Sequence, residues 1–258
     1  MYDSFSEDYD RFVNWPSRLS AEMPFIQQQL QSVRRARSAV THVLDAACGT
    51  GMHAIALAKS GFTVAGADLS WGMIQKARLN AQEEEMDVRF EAAGFGGLEN
   101  VFGRETFDSL LCLGNSLPHI LSTEALATTL ADFAACLRPG GLLLVQNRNF
   151  DAVLAQQERW MEPQTHHEGD VERVFVRFYD FRPDGLLNFN ILTLRREGQA
   201  SWTQSAVETL LRPLRQVELA QALTVAGFRE MTWYGDMAGA PYEPDSSGNL
   251  IVSAIKKR

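Results

Sequence analysis

The sequence predicts an α/β protein built on a doubly wound, mostly parallel sheet of seven strands, with a helical segment ahead of it and an antiparallel sheet inserted after the fifth strand. Three observations predict this. Between residues 40 and 148, short apolar runs alternate with stretches of helical periodicity across short links, the pattern of a parallel sheet covered on both faces. After Asp151 the rhythm changes to strand-like runs flanking Pro183-Asp184-Gly185, a strong turn signal. Hydrophobic residues make up 45% of the 258, enough for one well-buried core.

Each element follows from its pattern. Leu19, Met23, Ile26, Leu30 and Val33 recur at spacings of three and four, so residues 17–35 are predicted helical. His42-Val43-Leu44 is a strand ending at Asp45, and Met52 to Lys59 a helix stopped by Ser60-Gly61. A second strand, Phe62 to Ala67, ends at Asp68; a helix over 71–84 leads to a third strand at Val88–Ala92. Phe107 to Leu113 is the fourth strand and 123–137 a helix, after which Arg138-Pro139-Gly140-Gly141 turns into the strand Leu142–Gln146. Val174–Phe181, Leu186–Arg195 and Val207–Leu211 are the antiparallel strands of the insert, placed to cover the mouth of a site. A helix over 215–226, capped by Gly227, and strands near 229–234 and 249–255 return to the style of the core. One domain is expected: an N-terminal part over 1–39, a core over 40–151, the insert over 152–212, and a closing helix and strands over 213–258.

Gly49-Thr50-Gly51-Met52-His53-Ala54 fits the loose dinucleotide pattern G-x-G-x-x-G/A, and Asp68 stands where an acid would bond a ribose hydroxyl. Two features argue against a dehydrogenase. Asp45, just before the loop, would repel a pyrophosphate but suits a ligand carrying an ammonium and a sulfonium. The Tyr-x-x-x-Lys pair that would donate a proton is absent from the chain.

Val43-Leu44-Asp45-Ala46-Ala47-Cys48-Gly49-Thr50-Gly51 resembles motif I of class I S-adenosylmethionine-dependent methyltransferases, and Arg138-Pro139-Gly140-Gly141 the turn before their fifth strand. The resemblance implies a Rossmann-like sheet, S-adenosylmethionine as cofactor and S-adenosylhomocysteine as product. It implies that Asp45, Ala47, Gly49 and Gly51 surround the methionine part of the cofactor and that Asp68 takes both ribose hydroxyls. Leu69, Leu113 and Met73 complete the implied contacts, Met73 packing on the adenine. Where many such enzymes have an acidic or amide side chain after the third strand, this chain has Ala92-Ala93-Gly94-Phe95, so Ala93 and Phe95 are the implied substitutes.

A closer resemblance, covering most of the chain, is to the glycine and glycine/sarcosine N-methyltransferases. Glu7-Asp8-Tyr9-Asp10-Arg11-Phe12 through Arg18 is similar to their N-terminal cofactor lid. Cys112-Leu113-Gly114-Asn115-Ser116-Leu117-Pro118-His119 and Asn147-Arg148-Asn149-Phe150-Asp151 are similar to their segments after the fourth and fifth strands. The ending, from Gly235-Asp236 through Tyr242, is similar in layout. By this resemblance Tyr9 and Arg18 close on the cofactor, Arg18 pairing with its carboxylate, and Tyr2 stands near the transferred methyl. Arg148 holds the substrate carboxylate, Asn115 positions the amine or carboxylate, and His119 lines the same pocket. The bland alternatives are a solvated strand-end arginine for Arg148 and a helix-start packing residue for His119. Departures bear on the substrate: Phe150 stands where the family has Tyr, Leu117 where it has Phe, and Glu208 to Pro213 lacks the family's tyrosines. Losing part of an aromatic cage for a methylammonium group points to a different or larger acceptor.

The bulk numbers exclude other classes. Net charge is −8 and no basic face stands out, so nucleic acid is not an expected substrate. No apolar run reaches the ~20 residues of a membrane span. The N-terminus is acidic and polar, unlike a secretory signal, and Cys48, Cys112 and Cys136 lack metal-ligand spacing; a cytoplasmic enzyme without a metal is expected, its oligomeric state left open. The reaction expected is N-methylation of an amino acid or small amine. The rivals are a small-molecule O-methyltransferase, which needs a strong base, and a non-catalytic S-adenosylmethionine-binding regulatory protein.

Overall fold

The computed structural model describes residues 13–36 and 41–258. Helix α1 (Trp15–Ala36) precedes strand β1 (His42–Ala46), α2 (Met52–Lys59), β2 (Thr63–Asp68), α3 (Trp71–Glu83), β3 (Arg89–Ala92), α4 (Leu98–Phe102), β4 (Phe107–Cys112), α5 (Thr123–Cys136), β5 (Leu137–Arg148) and α6 (Phe150–Gln156). Then come β6 (Gln164–Glu168), β7 (Val171–Phe181), β8 (Leu187–Glu197), β9 (Thr203–Leu211), α7 (Gln216–Val225), β10 (Phe228–Tyr234) and β11 (Asn249–Lys256). The seven-stranded sheet runs β10-β11-β5-β4-β1-β2-β3, with β11 antiparallel to both β5 and β10 and the other pairs parallel. The second sheet, β6-β7-β8-β9, is wholly antiparallel.

Both faces of the main sheet are covered because its strands are apolar on both. In β1, Val43 packs with Ile26, Leu30 and Ile55 on the α1–α3 side, while its neighbour Leu44 packs with Leu98, Leu130 and Leu219 on the α4, α5 and α7 side. The strand order reverses between β1 and β4, so the carboxyl ends of β1, β2, β4 and β5 open around a crevice, the place where such sheets bind ligands. Serines cap the flanking helices: Ser70 Oγ accepts from the Met73 amide and Ser122 Oγ from the Ala125 amide.

The fold class is as the sequence predicts, with local differences. The Arg138–Gly141 turn is absorbed into β5 as a bulge, with Phe107 opposite Leu137 but Ser109 opposite Leu142. Arg138 pairs there with Asp108 at 2.9 Å. Helices α4 and α6 and strand β6 were not expected. The first two are too short to show a period, and β6, Gln-Thr-His-His-Glu, is a polar edge strand without alternation. No helix among the described residues is long and apolar enough to cross a membrane.

Candidate active site

A cavity of about 560 Å³ opens at the carboxyl ends of the parallel strands. One lobe is bounded by Ala47, Gly49, Asp68, Leu69, Met73, Ala93 and Phe95; the other by Asn115, His119 and Arg148. Arg18 lines it from α1. These eleven are residues the sequence singles out. Tyr2 and Tyr9 lie outside the described residues.

The glycine turn holds the first lobe together. Ala47, Gly49 and Gly51 all have positive φ (61°, 56° and 81°), a conformation that is strained for Ala47. At Gly51 a side chain is also excluded by space, since an added Cβ would sit 2.7 Å from the Phe90 ring. The turn's amides are committed internally: Gly51 N–H donates to Cys48 O and Gly49 N–H to Asp68 Oδ2 (2.9 Å). They are therefore not a cradle for a pyrophosphate. Asp68 Oδ1 accepts from the Ser70 amide at 2.9 Å. Each carboxylate oxygen has a second lone pair, so both can still accept from a diol on the cavity side.

Asp45 stands in β1, just ahead of this turn. It is 2% exposed, and its Oδ2 has no hydrogen-bond partner among the described residues. Burial, reinforced by the Asp68 charge and opposed by Arg18, pushes its carboxyl up to about 7. A cationic group binding above the turn would draw that proton off. Arg18 is itself tied back: its Nε donates to Glu22 Oε1 at 3.0 Å and its guanidinium lies 5.2 Å from the Trp15 ring centroid. Glu22 Oε2 meets buried His53 Nε2 at 2.7 Å, which joins α1 to α2 behind the site. Burial raises the Glu22 carboxyl, but His53 and Arg18 outweigh it and hold it below its ordinary value.

The second lobe is built on β4 and β5. Asn115 sits at φ 65°, and its Oδ1 accepts the Arg148 amide at 2.9 Å, which locks the two strand ends together. Arg148 Nη2 donates to Glu158 Oε2 at 2.8 Å. It is part-exposed, at 30% of its side chain, and its partner is more exposed still. Burial lowers the His119 pKa to about 4, so the ring is neutral at physiological pH.

Three sequence-chosen residues do not reach the cavity wall. Gly51 faces Phe90, Leu113 is 4% exposed within the core beside α1–α3, and Asp45 is buried. Conversely, Gln146, Arg177, Tyr179, Phe189 and Asn249 line the cavity and were missed. Gln146 Oε1 accepts the Gly114 amide at 2.7 Å and its Nε2 donates to Asn249 Oδ1 at 2.8 Å. Its signal is a lone amide ending the run Leu142–Val145. Arg177 and Tyr179 were readable as polar groups on the same face of β7 as Phe175. Tyr179 restores some of the aromatic wall that Phe150 and β9 lack; burial pushes its hydroxyl up to about 12, so it stays neutral. No group of three or more potential metal ligands occurs among the described residues.

A family model described as a methyltransferase domain matches residues 43–141. The crystal structure of an S-adenosylmethionine-dependent methyltransferase from Clostridium acetobutylicum superposes with a TM-score of 0.78 over 100% of this chain and 99% of that one, at 16% identity, a likeness of fold. Together with the relatives that follow, the matched domain makes the chain an S-adenosylmethionine-dependent methyltransferase. The glycine/sarcosine N-methyltransferase of Aphanothece halophytica is 33% identical over 97% of this chain and 88% of that protein. That of Halorhodospira halochloris is 29% identical over 99% and 88%. The chain belongs to the glycine/sarcosine N-methyltransferase family.

Proposed function

We propose that the protein methylates the amine of a small amino acid of the glycine or sarcosine type, with S-adenosylmethionine as donor and S-adenosylhomocysteine as product. One observation carries the reading: Asn115 and Arg148, locked together by the 2.9 Å bond from the Arg148 amide, line the same cavity as Asp68. The names of the relatives from Aphanothece halophytica and Halorhodospira halochloris support it. In this reading Asp68 holds the ribose, Met73 and Phe95 flank the adenine, and Arg18 pairs with the cofactor's carboxylate. Asp45 complements its positive charge. The bound cofactor supplies an electrophilic methyl on a sulfonium that leaves as a neutral thioether.

The protein's part is orientation and exclusion of water. The acceptor arrives as a free amine, its carboxylate held by Arg148, and the new ammonium loses its proton to solvent. The depressed His119 pKa supports an amine acceptor, since a ring titrating at about 4 is a poor base for a hydroxyl. Buried thiols at Cys48, Cys112 and Cys136 accord with the reducing cytoplasm as its setting. The test is formation of S-adenosylhomocysteine with glycine, sarcosine and their amides or esters. Arg148→Lys should raise KM for the amino acid far more than for the cofactor, because lysine keeps the charge but not the planar fork. Equal activity on an acid and its amide overturns carboxylate recognition.

A further inference from the structure

The inserted sheet brings a charge of its own to the substrate lobe. Along β7, Arg173, Phe175, Arg177 and Tyr179 share one face; Arg177 stands opposite Ile191 and Tyr179 opposite Phe189 on β8. Phe175, Tyr179 and Ile191 are buried, so this is the covered face of the sheet. Arg177, between Phe175 and Tyr179, is only part-buried, because this face opens there on the cavity. Arg177 lines the cavity from this face, and Arg148 lines the same cavity from the end of β5. Arg148 has an arm engaged by Glu158.

We propose that Arg177 is a second carboxylate-holding residue, the acceptor's carboxylate being received between the guanidiniums of Arg148 and Arg177. This rests on the amino-acid reading above. A carboxylate offers about four lone-pair sites on two oxygens, more than a single fork with one arm engaged elsewhere can fill. Two guanidiniums in one cavity repel, and an anion between them turns that repulsion into attraction on both sides. Arg177's ionisation is depressed by burial, with Tyr179 opposing and Arg148 reinforcing. The clamp needs the insert docked on the core, since Arg177 and Arg148 come from different sheets.

The experiment compares the protein with Arg177→Met and Arg177→Lys. Calorimetric titrations with sarcosine and with ethylamine, in the presence of S-adenosylhomocysteine, are paired with steady-state kinetics and a thermal midpoint. Arg177→Met should weaken sarcosine binding, and raise its KM, by roughly 10–100-fold, the range for a lost hydrogen bond to a charged group. Arg177→Lys should recover part of that. Ethylamine binding, cofactor KM and thermal midpoint should not follow. Sarcosine affinity unchanged by Arg177→Met, or an equal loss for sarcosine and ethylamine, overturns the inference. The two readings fail separately: no turnover with any amine removes the reaction proposed above, while Arg177-dependent sarcosine binding still supports the clamp.

Discussion

Asp45→Asn should stabilise the free protein at pH 8 while weakening its hold on the cofactor. The Asp45 carboxyl is 2% exposed and lies near Asp68, and together burial and that charge raise it from 3.8 to about 7. At about 1.36 kcal/mol per pKa unit, a rise of about 3 corresponds to about 4 kcal/mol. The sign follows from proton linkage. The folded state binds this proton more tightly than the unfolded chain, so the carboxyl costs almost nothing below about pH 4. Its cost then grows until the pH passes about 7, where the folded group finally ionises. Wild type and Asp45→Asn should therefore differ little near pH 4, and their difference should grow by roughly 2–3 kcal/mol between pH 5 and pH 8. Guanidinium denaturation at several pH values measures this, and groups common to both proteins cancel in the comparison. Calorimetry at pH 8 should show the opposite sign, weaker binding of S-adenosylmethionine by Asp45→Asn, if the carboxylate complements the cofactor's positive charge. A stability difference that stays constant from pH 5 to pH 8 refutes the reasoning, because Asp45 would then be titrating in its ordinary range.

Asp68→Ala should both weaken cofactor binding and destabilise the apo protein, since it deprives the Gly49 and Ser70 amides of their acceptor at about 1–3 kcal/mol each. Calorimetry and denaturation read the two effects separately, and unchanged affinity removes Asp68 from the site. Gly51→Ala combines a positive φ of 81° with a Cβ 2.7 Å from Phe90, so a loss of about 2–5 kcal/mol is expected in the denaturation midpoint. His119, with its pKa near 4, should contribute no limb to the pH dependence of kcat/KM between pH 5.5 and 8. A limb in that range that disappears in His119→Gln contradicts the neutral-ring assignment.

Much of this was legible in the chain. The Asp45–Gly51 turn, Asp68 at the end of the next strand, and the Asn115 and Arg148 segments announced a ligand crevice at four strand ends, and eleven of the residues chosen line it. Such features are written in short stretches, because strand ends, glycine turns and caps depend on neighbours a few residues away. Gly51 shows the limit. Its positive φ belongs to the turn, but the contact that forbids a side chain comes from Phe90 on β3, 39 positions on.

By itself, then, the sequence determined the order and type of the main elements, the doubly wound core, and the chemistry of the glycine turn. Only the tertiary structure decided which groups face one another. Alternation along β7 sets Arg177 beside Phe175 and Tyr179 on one face, but that this face meets the cavity depends on how the second sheet docks. The Arg18–Glu22 pair is an i,i+4 contact that the helix spacing encodes, but Glu158 engaging Arg148, and Glu22 reaching His53 on α2, are contacts that no spacing encodes. The rise of Asp45 and the fall of His119 likewise arise from desolvation and through-space charge. Those forces act over distances in three dimensions and are set by what the fold removes from water.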